Sequence, residues 1–366
     1  MNELAPDEKL TVAGITPISV QKDESTGLPL DYIRADGLSS KQFTKTWIVQ
    51  GVIEDGRAYQ WFGQWKSGKT LAVLDICCHA SLGKEWAGKR TFPTLIIWVA
   101  SESCEDVMRR MAAWQLAHKI DSEMPFVIRT KPLHLDVAEF ASLLEAEIKA
   151  IKERFPFLPV VCVIDTVARS MSGDLSENDE GLRKFANNML DLVVRQTGCA
   201  AIFVHHSGHG DKERGRGWSG FPGAVDGTVK VSMEKQVGGP SFVDVSMTEM
   251  RSGKGDDSFR FRVDIQEING TDNCGDVLEE PVLLFQGSIP SKKSKPSGKN
   301  QRKVLEQLTE MCEGENGGKV LRDALRLRLV GKEDGQISSE AFRDAVDSLL
   351  TGLFIREDRG FLEVLP

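Results

Sequence analysis

One eight-residue stretch constrains this chain more than any other. Gly63-Gln64-Trp65-Lys66-Ser67-Gly68-Lys69-Thr70 satisfies G-x-x-x-x-G-K-[ST]. The apolar run AYQWF at 58–62 precedes it, and helical spacing from Lys69 to Leu82 follows it. Strand, glycine-rich turn and helix in that order bring backbone N–H groups and the positive end of a helix to bear on one anion. The pattern therefore predicts a nucleotide triphosphate site for ATP, cradled by Gly63, Gln64, Trp65, Lys66, Ser67 and Gly68. Lys69 is expected on the β- and γ-phosphates, with the Thr70 hydroxyl on Mg²⁺.

The surrounding pattern is that of an α/β chain. TLIIWVA at 94–100 precedes a helical stretch at 103–118, VVCVI at 160–164 precedes another at 178–196, and AAIFVHH at 200–206 closes the series. Continuous apolar strands separated by helices predict a mainly parallel sheet covered on both faces. After Asp226 the runs TVKVSM, FVDVSMTEM and SFRFRVDI suggest hairpin connections, read as an antiparallel extension of the same sheet.

Several polar residues stand at strand ends, where such sheets carry their chemistry. Asp165 ends the strand VVCVI and is expected beside the phosphate loop, on ATP and Mg²⁺; the alternative is a solvated strand-end carboxylate. Thr166 follows it, so no second acid is adjacent. Glu102, directly after TLIIWVA, is the candidate to activate water, or else a first-turn acid, since Ser103 and Asp106 resemble a capping box. Glu105 reads as a surface acid that offsets the helix dipole. His205 and His206 point to opposite faces by alternation, so one can face the γ-phosphate while the other packs inward. His206 is taken as the catalytic-side residue and His205 as nucleotide-binding, with their order left open.

Ser207 to Gly223 contains six glycines, together with Lys212, Arg214, Arg216, Trp218 and Phe221. Such a segment is not expected to form a helix or a strand core. Cations interleaved with aromatics suit a nucleic-acid strand, the cations on phosphates and an aromatic on a base, and Lys212, Arg214, Arg216 and Trp218 are the candidates. A solvated loop is the alternative. Arg251 opens R-S-G-K-G after a strand. It is either a surface arginine or one that reaches into a neighbouring subunit's nucleotide site, where an arginine finger neutralises transition-state charge; Lys254 is a second candidate.

The chain has 366 residues and a formal charge of −8, yet residues 288–303 carry six lysines or arginines and no acid. That stretch, with Pro, Ser and Gly among its cations, reads as a basic linker. Helical spacing around Val304–Met311, Val320–Leu325 and Phe342–Leu353, then two short strands around D-R-G, predicts a small winged-helix-like domain. The expected divisions are 1–43 as an N-terminal arm, 44–287 as the ATPase domain, 288–303 as linker and 304–366 as the winged-helix-like domain. The apolar runs are too short to span a bilayer, so no membrane partner is expected. Seven scattered cysteines without metal spacing, after an acidic N-terminus, suggest reduced thiols in a cytoplasmic protein.

From about Trp47 to Arg262 the blocks W-I-V-Q-G, the phosphate loop, V-A-S-E, V-I-D-T-V-A-R-S, F-V-H-H-S-G and R-S-G resemble the RecA-like ATPases of RepA-type hexameric replicative helicases of plasmids and phages. The resemblance implies Lys69 and Thr70 on ATP and Mg²⁺, Glu102 as catalytic carboxylate, Asp165 on the metal side, the histidine pair as sensor and Arg251 as trans finger. It also implies a homohexameric ring that moves on single-stranded DNA and meets other replication proteins. Glu249 departs from relatives that carry Lys two positions before the finger, and Trp65 is bulky for its loop. Two other functions share these residues: a DNA-stimulated ATPase that loads or remodels replication and recombination proteins without unwinding, and a nucleotide-switched DNA-binding regulator.

Overall fold

A computed structural model of the chain describes residues 38–172, 179–208, 215–236, 239–252, 255–289, 298–314, 318–331, 336–351 and 354–364. Internal contacts divide the chain into Met1–Thr46 and Trp47–Pro366. Among the described residues of the first unit, a 3₁₀ turn spans Leu38–Ser40.

The second unit opens with the small pair β1 (Trp47–Val49) and β2 (Ile53–Glu54), followed by β3 (Ala58–Gly63), α1 (Lys69–Leu82), β4 (Leu95–Ala100), α2 (Cys104–Ala117), β5 (Phe126–Arg129), α3 (Ala138–Lys152) and β6 (Val160–Asp165). A helix then runs as α4 (Asp179–Asn188), a π-helical segment Met189–Val194 and α5 (Arg195–Thr197), before β7 (Ala200–His206), α6 (Phe221–Ala224), β8 (Gly227–Glu234), β9 (Phe242–Met250), β10 (Ser258–Thr271) and β11 (Val277–Ile289). Nine strands form one sheet in the order β11-β10-β9-β8-β3-β7-β6-β4-β5. β5, β4, β6, β7, β3 and β8 are parallel, and β9, β10 and β11 run antiparallel. The alternating pattern predicted such a mainly parallel sheet, and the RecA-like form is the one that the resemblance implied.

Side-chain alternation explains why the apolar strands must be covered twice. On β4, Ile96, Trp98 and Ala100 join one buried cluster with α1 and α2, while Leu95, Ile97 and Val99 join another with α3 and α4. β6 and β7 divide in the same way, with Val161, Val163, Ile202 and Val204 to the first side and Cys162, Ile164 and Phe203 to the second. Period-2 burial on both faces is what a central parallel sheet requires. On β9 and the first half of β10, Val243, Val245, Met247, Phe259 and Phe261 all join the first cluster, on one face, as antiparallel strands allow.

Two expectations need correction. β8 is not part of the antiparallel extension: it lies parallel to β3, and the direction reverses only at β9. The twenty residues between His206 and Gly227 are long enough for a crossover back to the other edge, which a parallel pairing needs. Within the glycine-rich segment the turn α6 does form, with Pro222 in its first turn, where a missing N–H costs nothing. Its Phe221 is fully buried against Phe185, Phe203 and His205, so it is a core residue and not an aromatic presented to a ligand.

The C-terminal residues have a core of their own. α7 (Lys299–Gly314), β12 (Lys319–Leu321), α8 (Arg322–Leu329), α9 (Ser339–Thr351), β13 (Ile355–Asp358) and β14 (Phe361–Val364) enclose Val304, Leu308, Leu325, Val346 and Leu349, with the strands in the order β12-β14-β13. Among the described residues no helix is long and apolar enough to cross a membrane. All seven cysteines are free thiols.

Candidate nucleotide site

The loop between β3 and α1 is shaped by two glycines. A Cβ on Gly63 would stand 2.1 Å from the carbonyl oxygen of Val231 on β8, so only glycine fits there. Gly68 precedes α1 with φ 84°, a left-handed backbone that a side chain would strain. Lys69 begins the helix and is 5% exposed. Its Nζ donates to the carbonyls of Gly63 at 3.1 Å and Gln64 at 2.8 Å. Burial lowers its pKa to about 8, while Asp165 and Glu102 pull the other way.

Three strand ends converge on this loop. Asp165, at the end of β6, accepts a hydrogen bond from Thr70 Oγ1 at 3.2 Å. Desolvation first, then the neighbouring Glu102 charge, raises its pKa to about 7. Glu102 follows β4, and its Oε1 accepts from Thr166 Oγ1 at 2.9 Å. His206 Nε2 stands 4.0 Å from the same oxygen, too far for a direct hydrogen bond but close enough for attraction. The His206 ring, with the Thr166 hydroxyl, holds Glu102 below the ordinary carboxylate range against the opposing effect of burial. Helix α2 is capped by the next residue: Ser103 Oγ accepts from the Asp106 amide at 3.2 Å. Glu102 is therefore left outside the cap, and Glu105 pairs with Arg109 on the surface.

β7 sends its two histidines in opposite directions, as alternation requires. His206 faces Glu102, whereas His205 is fully buried, 2.6 Å from Gln60 Nε2 through its Nδ1. Burial drives the His205 pKa down to about 3, which keeps the ring neutral.

A buried hydroxyl with no partner, Ser67 Oγ, lies in the middle of the phosphate loop. Together with the Lys69 ammonium and the helix end, it is a donor set that an anionic oxygen would satisfy. The Thr70 hydroxyl and Asp165 carboxylate are hard oxygen donors beside a second carboxylate, and so suit Mg²⁺. The residues present thus fit both groups.

Of the remaining candidates, Trp65 is 73% exposed, and the Lys66 ammonium sits 4.2 Å over its ring. It lines two clefts. One, of about 530 Å³, is lined by Gln64, Trp65, His206, Ser207, Gly208 and Arg216. The other, of about 490 Å³, has Lys230 and Lys235 across from the loop. Arg216 thus stands beside the nucleotide loop, its amide bonded to the His206 carbonyl. Trp218 packs partly against the core under α4. Lys212, Arg214 and Lys254 lie outside the described residues.

Arg251 is not brought to this site. β9 runs antiparallel to β8, so Arg251 emerges beside Gly227, four residues before the level at which Val231 meets Gly63, or roughly 13 Å of strand. There its guanidinium donates to the Gly223 carbonyl at 2.7 Å and to Asp226 at 3.4 Å. Three further participants were not among the residues read as functional: Thr166 beneath Glu102, Gln60 beneath His205, and the lysines of β8. Only Thr166 carried a local signal, as a hydroxyl directly after the strand-end acid.

The sheet order and the phosphate-loop geometry define a RecA-like P-loop ATPase. The AAA domain family matches residues 24–212, more than half of the chain, and the chain belongs to that family. No curated protein matches it. Among solved structures it is similar to a KaiC-like protein from the hyperthermophilic archaeon Pyrococcus horikoshii OT3, at 16% identity over 65% of this chain and 93% of that one, with a TM-score of 0.40. It is also similar to a DnaB-like replicative helicase whose interactions with primase were described, at 12% identity over 61% of this chain and 57% of that one, with a TM-score of 0.44.

Proposed function

We propose that this protein is an ATP-hydrolysing DNA motor, a ring-forming replicative helicase whose identical subunits, six in number, translocate on single-stranded DNA. The observation that supports the reading is that the phosphate loop and the candidate trans arginine lie at different ends of the strands of one chain. The phosphate loop and Glu102 share the C-terminal edge of the parallel strands, and Arg251 emerges at the other edge. A subunit then offers its loop to one neighbour and its arginine to the next, a head-to-tail contact that closes into a ring.

In this reading Lys69 exchanges the Gly63 and Gln64 carbonyls for phosphate oxygens, and the Ser67 hydroxyl and loop amides hold the remainder. Thr70 and Asp165 would hold Mg²⁺, which supplies charge neutralisation across the phosphates when bound. Glu102, kept ionised by His206 and Thr166, orients a water and takes up its proton. His206 reports the state of that carboxylate to the segment that begins at Ser207, and Arg216 lies within that relay. His205 serves the nucleotide side indirectly, as a neutral buried support with Gln60. Arg251 stabilises transition-state charge in the adjoining subunit.

DNA is assigned to Lys212, Arg214, Arg216 and Trp218, supported by the cation-rich composition of the segment that leaves the histidine strand. The division into arm 1–43, ATPase domain 44–287, basic linker 288–303 and winged-helix-like domain 304–366 belongs to the same proposal, with the linker adding non-specific DNA affinity. The test is ATP turnover with and without single-stranded DNA, a mass measurement in ATP, and strand displacement on a forked duplex. Stimulation by DNA, a ring-sized species and displaced strand are expected. Turnover without displacement would leave an ATPase but overturn the helicase.

A further inference from the structure

Where the middle of α1 meets the end of α2, away from the phosphate loop, two histidines and a carboxylate gather that no step above uses. Asp75 and His79 are one turn apart on the helix and therefore share a face. His118 caps the end of α2 beside them. The three side chains offer ligand atoms that all lie within 4.8 Å of one another.

Their surroundings fix each group. The Asp75 carboxylate is buried and accepts from both Trp86 Nε1 at 2.8 Å and Trp114 Nε1 at 2.9 Å, one indole to each oxygen. Each oxygen keeps a further lone pair. His79 Nδ1 is 2.8 Å from the Asp75 backbone carbonyl, and His118 Nδ1 is 2.9 Å from the Trp114 carbonyl. A carbonyl only accepts, so each Nδ1 carries a proton, that of His79 also lying 3.6 Å from Asp75 Oδ1, and Nε2 is the ring atom left to ligate. This backbone-anchored tautomer is the one that metal-binding histidines adopt. Trp114 stacks on His118 at 4.2 Å, which holds the second ring in place. A cleft of about 290 Å³ opens at the cluster, with Glu85 on its wall.

We propose that Asp75, His79 and His118 bind a divalent transition-metal ion of the Zn²⁺ class, with its remaining position open to the cleft and to water or Glu85. Two imidazoles and one carboxylate select such an ion over Mg²⁺, which prefers oxygen. Ligand atoms around four-coordinate zinc stand about 3.3 Å apart, so no pair of the three, all within 4.8 Å, has to close by more than about 1.5 Å on binding. Asp75 lies about 9 Å along α1 from Lys69, so the site is separate from the one for nucleotide. An ion there would tie the helix that starts at the phosphate loop to the helix that follows Glu102.

The full chain, stripped with chelator and desalted, is titrated with Co²⁺ and then Zn²⁺ in the absence of Mg²⁺ and nucleotide. One Co²⁺ per chain with the intense visible absorption of low-coordinate cobalt is expected, displaced by Zn²⁺. Asp165→Asn should bind equally well. His79→Gln and His118→Gln should bind at least tenfold more weakly and lose the absorption, while circular dichroism and Tm without metal verify that they fold. His118→Cys covers the case in which the glutamine variants do not fold: it should bind Co²⁺ with a new sulfur-to-cobalt charge-transfer band. No Co²⁺ uptake by the wild type, uptake indifferent to folded His118→Gln, or no such band in Co²⁺-loaded His118→Cys overturns the proposal.

Discussion

The two edges of the parallel strands treat charge in opposite ways. At the C-terminal edge Lys69 and Asp165 are each 5% exposed, and burial is the leading cause that moves both pKa values, to about 8 and about 7. At the N-terminal edge Arg57, Asp226 and Arg251 have side chains 47%, 14% and 61% exposed, joined by ion pairs of 3.4 Å. Solvent-screened pairs of that kind are worth at most about 1 kcal/mol. The first edge thus holds ionisable groups where they are uncomfortable, a condition that a phosphate and a metal would relieve. The second holds an arginine by contacts that cost little to exchange. Such an arginine can leave Asp226 for a stronger anion on another molecule.

The comparison breaks most visibly at Arg251. Arg251→Ala is expected to lower the turnover number by about 10³–10⁵-fold, the range for trans-acting arginines, with ATP binding by the isolated chain unchanged. Lys69→Ala should be equally inactive. Mixing the two dead variants should restore turnover, since roughly a quarter of randomly formed interfaces pair an intact loop with an intact arginine. Steady-state ATPase assays of the variants and the mixture decide it. Full activity in Arg251→Ala, or no gain on mixing, would mean that the N-terminal edge serves no neighbouring site.

Glu102→Gln tests the other edge. Loss of the carboxylate should cut turnover by about 10²–10⁴-fold while a fluorescent ATP analogue still binds with wild-type affinity. Weakened binding with undiminished turnover at saturation would make Glu102 a binding residue and not a base.

The asymmetry between the edges was partly legible in the sequence. The phosphate loop announces itself because strand, glycines and helix lie within a few residues of one another. α1 and β7 were likewise expected at Lys69–Leu82 and Ala200–His206, and the structure has them there, because a run of apolar residues has a period that burial enforces. Contacts between distant residues carry no such period. Thr166 meets Glu102 across 64 positions, and Gln60 meets His205 across 145. Phe221 looked like a presented aromatic because its neighbours are glycine and arginine, yet it plugs the core beneath the segment. Parallel pairing of β8 was also hidden, since strand composition does not encode direction when the connection is long.

Phe221 also separates fold from contact in the segment that joins the two edges. Phe221→Ala should destabilise the protein by about 3–5 kcal/mol, read from urea or thermal unfolding, through the cavity left against Phe185 and Phe203. The salt dependence of DNA binding by the folded variant should keep the wild-type slope, because no phosphate contact is removed. Arg216→Ala should do the reverse, flattening the slope by about one charge with little change in stability. If Phe221→Ala were the variant that flattened the slope, its ring would belong to the DNA surface after all.

The smallest expected effect lies at Thr166. Its hydroxyl donates to Glu102, which is half exposed, so water competes for the same oxygen and the contact is worth less than a buried one. Thr166→Val is expected to lower the turnover number about tenfold, or about 1.4 kcal/mol, with KM for ATP unchanged. The hydrogen bond favours ionised Glu102, so its loss should raise the Glu102 pKa, and the acid limb of the pH–rate profile should move to higher pH. Thr166→Ser should restore both values, since it returns the hydroxyl without the methyl group. A packing defect would leave the acid limb where it is and would not be repaired by serine. Thr166→Val therefore distinguishes a hydroxyl that positions the carboxylate from one that merely fills space beside Asp165.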